Sequence, residues 1–120
     1  MAHAHPQVRV SPIFAVTDLP RALAHYTALG CAVSVHDEGY GFAARGGVEL
    51  HLVVVDEHDP RGGPSAIYLH VPDADALAAE WASVAQTSAP EDMPWGLREA
   101  RHVDPDGNLV RFGSRLPSRG

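Results

Sequence analysis

AVTDLPRALAHY, residues 15–26, returns in altered form as HVPDADALAAEW, residues 70–81, and that return decides the fold. The two stretches align at Asp18 and Asp73, side chains of the kind that cap a helix N-terminus. Behind Asp18, apolar side chains fall at Leu19, Ala22, Leu23 and Tyr26; behind Asp73 they fall at Ala74, Leu77, Ala78 and Trp81. A spacing of i, i+3, i+4, i+7 is one stripe of an amphipathic helix. Each helix places an aromatic at the same offset, so Tyr26 and Trp81 are expected to anchor their helices on a sheet.

Outward from these helices the duplication continues. A strand-like run precedes each one, VRVSPIFAV (8–16) and SAIYLHV (65–71), and a turn with a strand closes each half, GGVELHLVVV (46–55) and DGNLVRFGS (106–114). Between them lie CAVSVHDE and GYGFAARG in the first half and the less regular TSAPEDMPWGLREARHV in the second. The order is βαβββ, twice. It predicts an α+β fold of mostly antiparallel, curved sheet that forms a cleft, with the helices on the outer side. The chain reads as a single domain over 1–120, with internal repeats roughly at 8–56 and 64–116, joined by the Gly/Pro-rich DPRGGP at Asp59–Pro64. Pro12 cannot donate to a ladder and marks an edge strand or a crossover.

Composition narrows the function classes. With 120 residues, 45% hydrophobic and 20% charged, the chain is ordinary globular material. A net charge of −6 argues against a nucleic-acid partner and is compatible with a cationic ligand, though it also serves solubility. Every basic residue is Arg, which excludes Schiff-base and P-loop lysine chemistry. Cys31 is the only cysteine, so there is no internal disulfide and no cysteine-based zinc site; it reads as packing. His3 and His5, near the terminus, read as incidental. No apolar run approaches the ~20 residues of a membrane span, and no signal peptide is evident, so the expectation is a cytoplasmic protein with no membrane partner.

Alternation along the strands sorts their faces. Phe14 and Val16, Leu50 and Leu52, Leu69 and Val71, and Val110 and Phe112 are wholly apolar pairs and should meet the helices. The opposite face carries Ser11, Ile13, Glu49, His51, Ala66, Tyr68, His70 and Arg111. Such a face is either simply wetted, as antiparallel sheets allow, or the wall of a binding cleft.

AVTDLPRALAHY with its following Gly30, HVPDADALAAEW and the tight turn DPDGNLVRF together resemble the vicinal oxygen chelate superfamily of glyoxalases, extradiol dioxygenases and bleomycin-resistance proteins, over nearly the whole chain. The likeness is greatest to bleomycin-resistance proteins. Pro94, Trp95, Gly96, Arg98, Glu99, Asp104, Pro105, Gly107 and Asn108 match their pattern, as does Pro12 in the first strand. The resemblance implies four metal-ligand positions in catalytic members, which here hold Ser11, His51, Ala66 and Arg111. Only His51 is a ligand type, and Arg is a permanent cation. The expectation is therefore no metal, with His51 the one ligand if any, and no cofactor. A displaced site using His70 or His102 is a lesser alternative.

The resemblance also implies a homodimer that holds a small-molecule ligand in clefts between subunits, against aromatic side chains. The corresponding positions are Tyr40, His51, Tyr68 and Trp95, with Phe42 sharing the parity of Tyr40, and His70 and Arg111 on the same wall. The function expected is metal-free, dimeric sequestration of a flat, cationic natural product, with Glu38, Glu49, Glu91, Asp92 and Glu99 drawing its charge. Glu99 and Arg98 are alternatively a surface ion pair. Three other readings stay open. One is a metal-dependent lyase, isomerase or dioxygenase with an atypical site. Another is a metal-free enzyme with His51 or His70 as base and Arg111 holding an anion. The last is a subunit that uses this face to bind another protein.

Overall fold

In the computed structural model, which describes residues 7–56, 63–84 and 86–117, the duplicated pattern forms two four-stranded sheets, each with a helix packed on it. The first repeat gives β1 (Ile13–Val16), α1 (Leu19–Ala28), β2 (Ala32–Asp37), β3 (Tyr40–Arg45) and β4 (Val48–Val54). The second gives β5 (Ala66–His70), α2 (Ala74–Trp81), β6 (Glu91–Asp92), β7 (Leu97–Val103) and β8 (Leu109–Arg115). The strand orders, β1-β4-β3-β2 and β5-β8-β7-β6, are the same permutation. β1 runs parallel to β4 and β5 parallel to β8; every other pairing is antiparallel. His3, His5 and most of the DPRGGP segment lie outside the described residues.

The first strand is shorter than VRVSPIFAV suggests. Pro12 has no N–H, and its carbonyl makes the last contact with β4, accepting from His51 N at 2.9 Å. Residues 7–11 before it pair with no strand, and Val8 and Val10 are each 88% exposed.

Both helices start as their sequences dictate. Asp18 accepts from Arg21 N and Asp73 from Ala76 N, each at 3.0 Å. Leu19, Ala22 and Tyr26 of α1 and Ala74, Ala78 and Trp81 of α2 are buried, with Leu23 and Leu77 packed at the margin. α1 stops at Gly30 (φ +90°), where Gly30 N–H reaches Thr27 O and Cys31 N–H reaches Tyr26 O, a Schellman closure. Cys31 itself is only half-buried. Three of the four apolar strand pairs enter the core, Phe14 with Val16, Leu50 with Leu52 and Val110 with Phe112, while Leu69 and Val71 are only partly buried against it.

The two repeats are locked together through polar groups. The Leu29 carbonyl, left open at the end of α1, accepts from Trp81 Nε1 at 3.0 Å and Arg45 Nη1 at 2.7 Å. Arg45 also grips the Glu80 carboxylate with both guanidinium nitrogens and lies 5.9 Å over the Trp81 ring. On the other side, Asp104 reaches the first repeat. Its Oδ2 accepts from Tyr26 OH (2.7 Å) and Asn108 Nδ2 (3.0 Å), and its Oδ1 from the backbone of Asp106 and Asn108. Burial and the Asp104 carboxylate push the Tyr26 phenol far up, so it remains a donor. Asp106 Oδ1 accepts from Thr17 and Arg21, and Asn108 Nδ2 donates to Ala15 O. His25 and His102 meet through their Nε2 atoms at 2.7 Å, and His102 Nδ1 touches Thr87 Oγ1 at 2.7 Å.

Candidate functional site

The face of each sheet turned from its helix carries an aromatic set. On the first sheet, register places Phe42 opposite His51 and Tyr40 two residues along β3. The three rings pack at centroid distances of 5.0–5.6 Å, and Tyr40 Oη lies 2.8 Å from His51 Nδ1. His51 Nε2 is 3.5 Å from Glu49.

On the second sheet, Tyr68 and Arg111 are register partners on β5 and β8, and the rings of Tyr68 and His70 lie 4.9 Å apart. Trp95 stands at the tip of the hairpin joining β6 and β7. Its turn, Met93-Pro94-Trp95-Gly96, closes by Gly96 N–H to Met93 O (3.1 Å), with Gly96 at φ +88°. The same Pro-x-Gly device makes the turn between β7 and β8, where Gly107 N–H reaches Asp104 O and φ is again +88°. Proline presets the second residue of such a turn and glycine accepts the left-handed one.

Glu99 organises this second set. Its Oε2 accepts from Tyr68 OH and from Trp95 Nε1, each at 2.8 Å, and the residue is only 7% exposed. Trp95, by contrast, is 59% exposed. Trp95 is therefore held by its nitrogen and offered by its ring. Burial, and then the Glu99 carboxylate, raise the Tyr68 phenol to about 12. From the sequence Glu99 is a match to the resistance-protein pattern and a nearby charge or a partner of Arg98, with no contact to Tyr68 or Trp95 implied. The structure sends Arg98 elsewhere, to Asp75 and Asp92. The missed signal is chemical: a Tyr hydroxyl and a Trp N–H partly withdrawn from water need an acceptor, and Glu99 has the parity to supply it.

Gly113 makes room for this arrangement. A Cβ there would stand 2.0 Å from Tyr68 Oη and 3.1 Å from Glu99 Cγ. Gly113→Ala is expected to swing Tyr68 off Glu99. The cost in stability should be modest, about 1 kcal/mol, because the end of the side chain is what moves. Spectrophotometric titration should then show the Tyr68 phenol falling from about 12 toward its ordinary value. An unchanged titration would refute the arrangement.

The sequence-derived residues thus fall into two groups, Tyr40, Phe42 and His51 on one sheet and Tyr68, His70, Trp95 and Arg111 on the other. No strand of one sheet pairs with a strand of the other. Two hollows border the second group. A cleft of about 640 Å³ takes Tyr68 and His70 together with Val48, Leu50, Ile67 and Leu77. A more open hollow of about 980 Å³ is bordered by His70, Trp95 and Arg115.

The donor set does not fit the metal of the superfamily's catalytic members. His51 already spends Nδ1 on Tyr40, and Arg111 occupies a ligand position with a permanent cation. Among the described residues no three His, Cys, Asp or Glu side chains converge as a metal site. His70 and His102 cannot share one, since His70 lies on the outer face of β5 while His102 is fully buried on the helix side of β7.

Comparison with known proteins agrees with this architecture. The chain is similar to the bleomycin resistance determinant encoded on transposon Tn5, with 25% identity, a TM-score of 0.80 and coverage of 92% of this chain and 100% of that one. It is similar to the bleomycin-binding protein of bleomycin-producing Streptomyces verticillus, solved with copper(II)-bleomycin, at 26% identity and a TM-score of 0.77, covering 93% and 99%. A lactoylglutathione lyase from Agrobacterium tumefaciens shares the fold at 19% identity and a TM-score of 0.71, covering 91% and 94%. No curated protein matches the sequence. The sequence profile of the glyoxalase family matches residues 5–112. By that match and by its paired βαβββ sheets, the chain belongs to the Glyoxalase/Bleomycin resistance protein/Dioxygenase superfamily.

Proposed function

We propose that this protein is a metal-free binding protein of bleomycin-resistance type, which sequesters a flat, cationic natural product between aromatic walls. The observation that carries the reading is Trp95: a residue left 59% exposed while its Nε1 is fixed on a buried carboxylate. A fixed, exposed indole loses little side-chain entropy when a planar ligand stacks on it, and such contacts contribute roughly 0.5–1.5 kcal/mol beyond area burial. Glu99 and Glu49 place negative charge beside both aromatic sets, in support of a cationic ligand.

The active species is a homodimer in this reading. Each chain carries its two aromatic sets on separate sheets, and a cleft between copies would face the Tyr40–Phe42–His51 set of one with the Tyr68–Trp95 set of the other. Exposed Val8, Val10 and Ile13 beside the open edge of β1 support contact between copies. Sedimentation equilibrium should give twice the chain mass.

The test is titration of intrinsic fluorescence with bleomycin and with unrelated planar antibiotics. Quenching by at least one is expected, and Trp95→Ala should weaken that ligand at least about tenfold. Trp81 is buried and serves as an internal reference. Failure of every compound to quench Trp95 would refute the proposal.

A further inference from the structure

β7 and β8 set two arginines side by side. Arg101 and Arg111 are register partners, both exposed, on the face that carries Tyr68. The Arg101 backbone points away from β8: its N–H donates to Ser88 Oγ and its carbonyl accepts from Ser88 N–H, each at 2.9 Å. Arg101 and Arg111 are therefore a non-hydrogen-bonded pair, the arrangement that brings opposed Cα atoms to about 4.5 Å and side chains closest together. Like charges in directly opposed positions destabilise a sheet.

Among the described residues no carboxylate relieves the repulsion. Among the described residues, arginine ion pairs are made by Arg21, Arg45 and Arg98, and neither Arg101 nor Arg111 meets a carboxylate. The carboxylate two residues along β7, Glu99, has its Oε2 drawn off by Tyr68 and Trp95. Arg111 is close enough to act on the Tyr68 phenol. A chain with a net charge of −6 thus places two arginines at opposed register positions of a candidate binding face, with no carboxylate partner among the described residues.

We propose that Arg101 and Arg111 form an oxyanion subsite, which takes a carboxylate or sulfonate borne by the flat ligand. The inference rests on the binding reading above and refines it: the ligand is zwitterionic, with an anionic end over the arginine pair and a cationic end beside Glu99. Guanidinium forks match oxyanion geometry with paired N–H groups, and an anion between them converts repulsion into two charge-assisted contacts.

The experiment compares acridine-9-carboxylate with its uncharged isostere acridine-9-carboxamide by calorimetry, with proflavine as a flat cation. The native protein should bind the carboxylate about tenfold more tightly than the carboxamide, the size expected for a charge-assisted contact. Arg101→Gln and Arg111→Gln should each reduce that preference and together abolish it. Equal affinity of the native protein for both acridines overturns the subsite while leaving the binding reading intact. If neither acridine nor proflavine binds, both fall. Displacement of the carboxylate by inorganic phosphate at matching concentration overturns the ligand-borne anion in favour of a free one. A double variant that loses self-association while keeping the preference assigns the arginines to contact between copies, which also overturns the proposal.

Discussion

Asp104→Ala is expected to cost about 4 kcal/mol of folding free energy, which would be a large fraction of the 5–15 kcal/mol typical of a domain. The residue is 4% exposed and its carboxylate accepts four hydrogen bonds, from Tyr26 OH, Asn108 Nδ2 and the backbone N–H groups of Asp106 and Asn108. Alanine leaves those donors in a dry site with no acceptor. Each orphaned donor costs about 1–3 kcal/mol, and because the four share one acceptor their losses do not simply add. The melting midpoint should fall by roughly 15 °C on the usual scaling for a domain of this size. Tyr26→Phe removes a single donor and should cost only about 1 kcal/mol. A loss below about 1 kcal/mol for Asp104→Ala would refute the view that this carboxylate joins the repeats.

Acid should destabilise the protein well before most carboxylates titrate. His102 is fully buried, and burial, then the neighbouring His25, hold its imidazole down at about 4. Burial lowers His25 as well, against the opposing pull of Asp104 and Asp106. In the unfolded chain His102 takes up its proton near pH 6.5, while in the folded protein it does so only near pH 4. The unfolded state therefore binds more protons between those limits. Stability is fully present above pH 6.5 and drains away as the pH falls toward 4, by about 3 kcal/mol from His102 alone. Urea unfolding at pH 7, 6 and 5 measures this, and His102→Gln should flatten the slope across that window. A slope unchanged by the substitution would place its origin elsewhere.

The duplicated helices were legible because two independent signals coincide in each, an Asp cap and an apolar stripe. Strand faces were legible because alternation is local: Phe42 and His51 share a face, and the hairpin register pairs them. The Val8–Val16 run misled because β propensity says nothing of a partner, and residues before Pro12 have none here. Between Pro90 and Pro94, β6 is only two residues long, too short to show alternation. Glu99 looked like one more surface acid because its partner Tyr68 lies 31 residues away. The His25–His102 contact spans 77 residues and is invisible to any local pattern. The Arg101–Arg111 juxtaposition needed the register of β7 on β8, which the irregular sequence before Asp104 does not reveal.

Among the described residues, the Leu29 carbonyl accepts from two groups whose position depends on the second repeat: Trp81 directly, and Arg45 as steadied by Glu80. One repeat by itself would leave that oxygen without the indole, unless a second copy of the repeat supplied it. A change at Trp81 in one half is therefore felt at the end of α1 in the other.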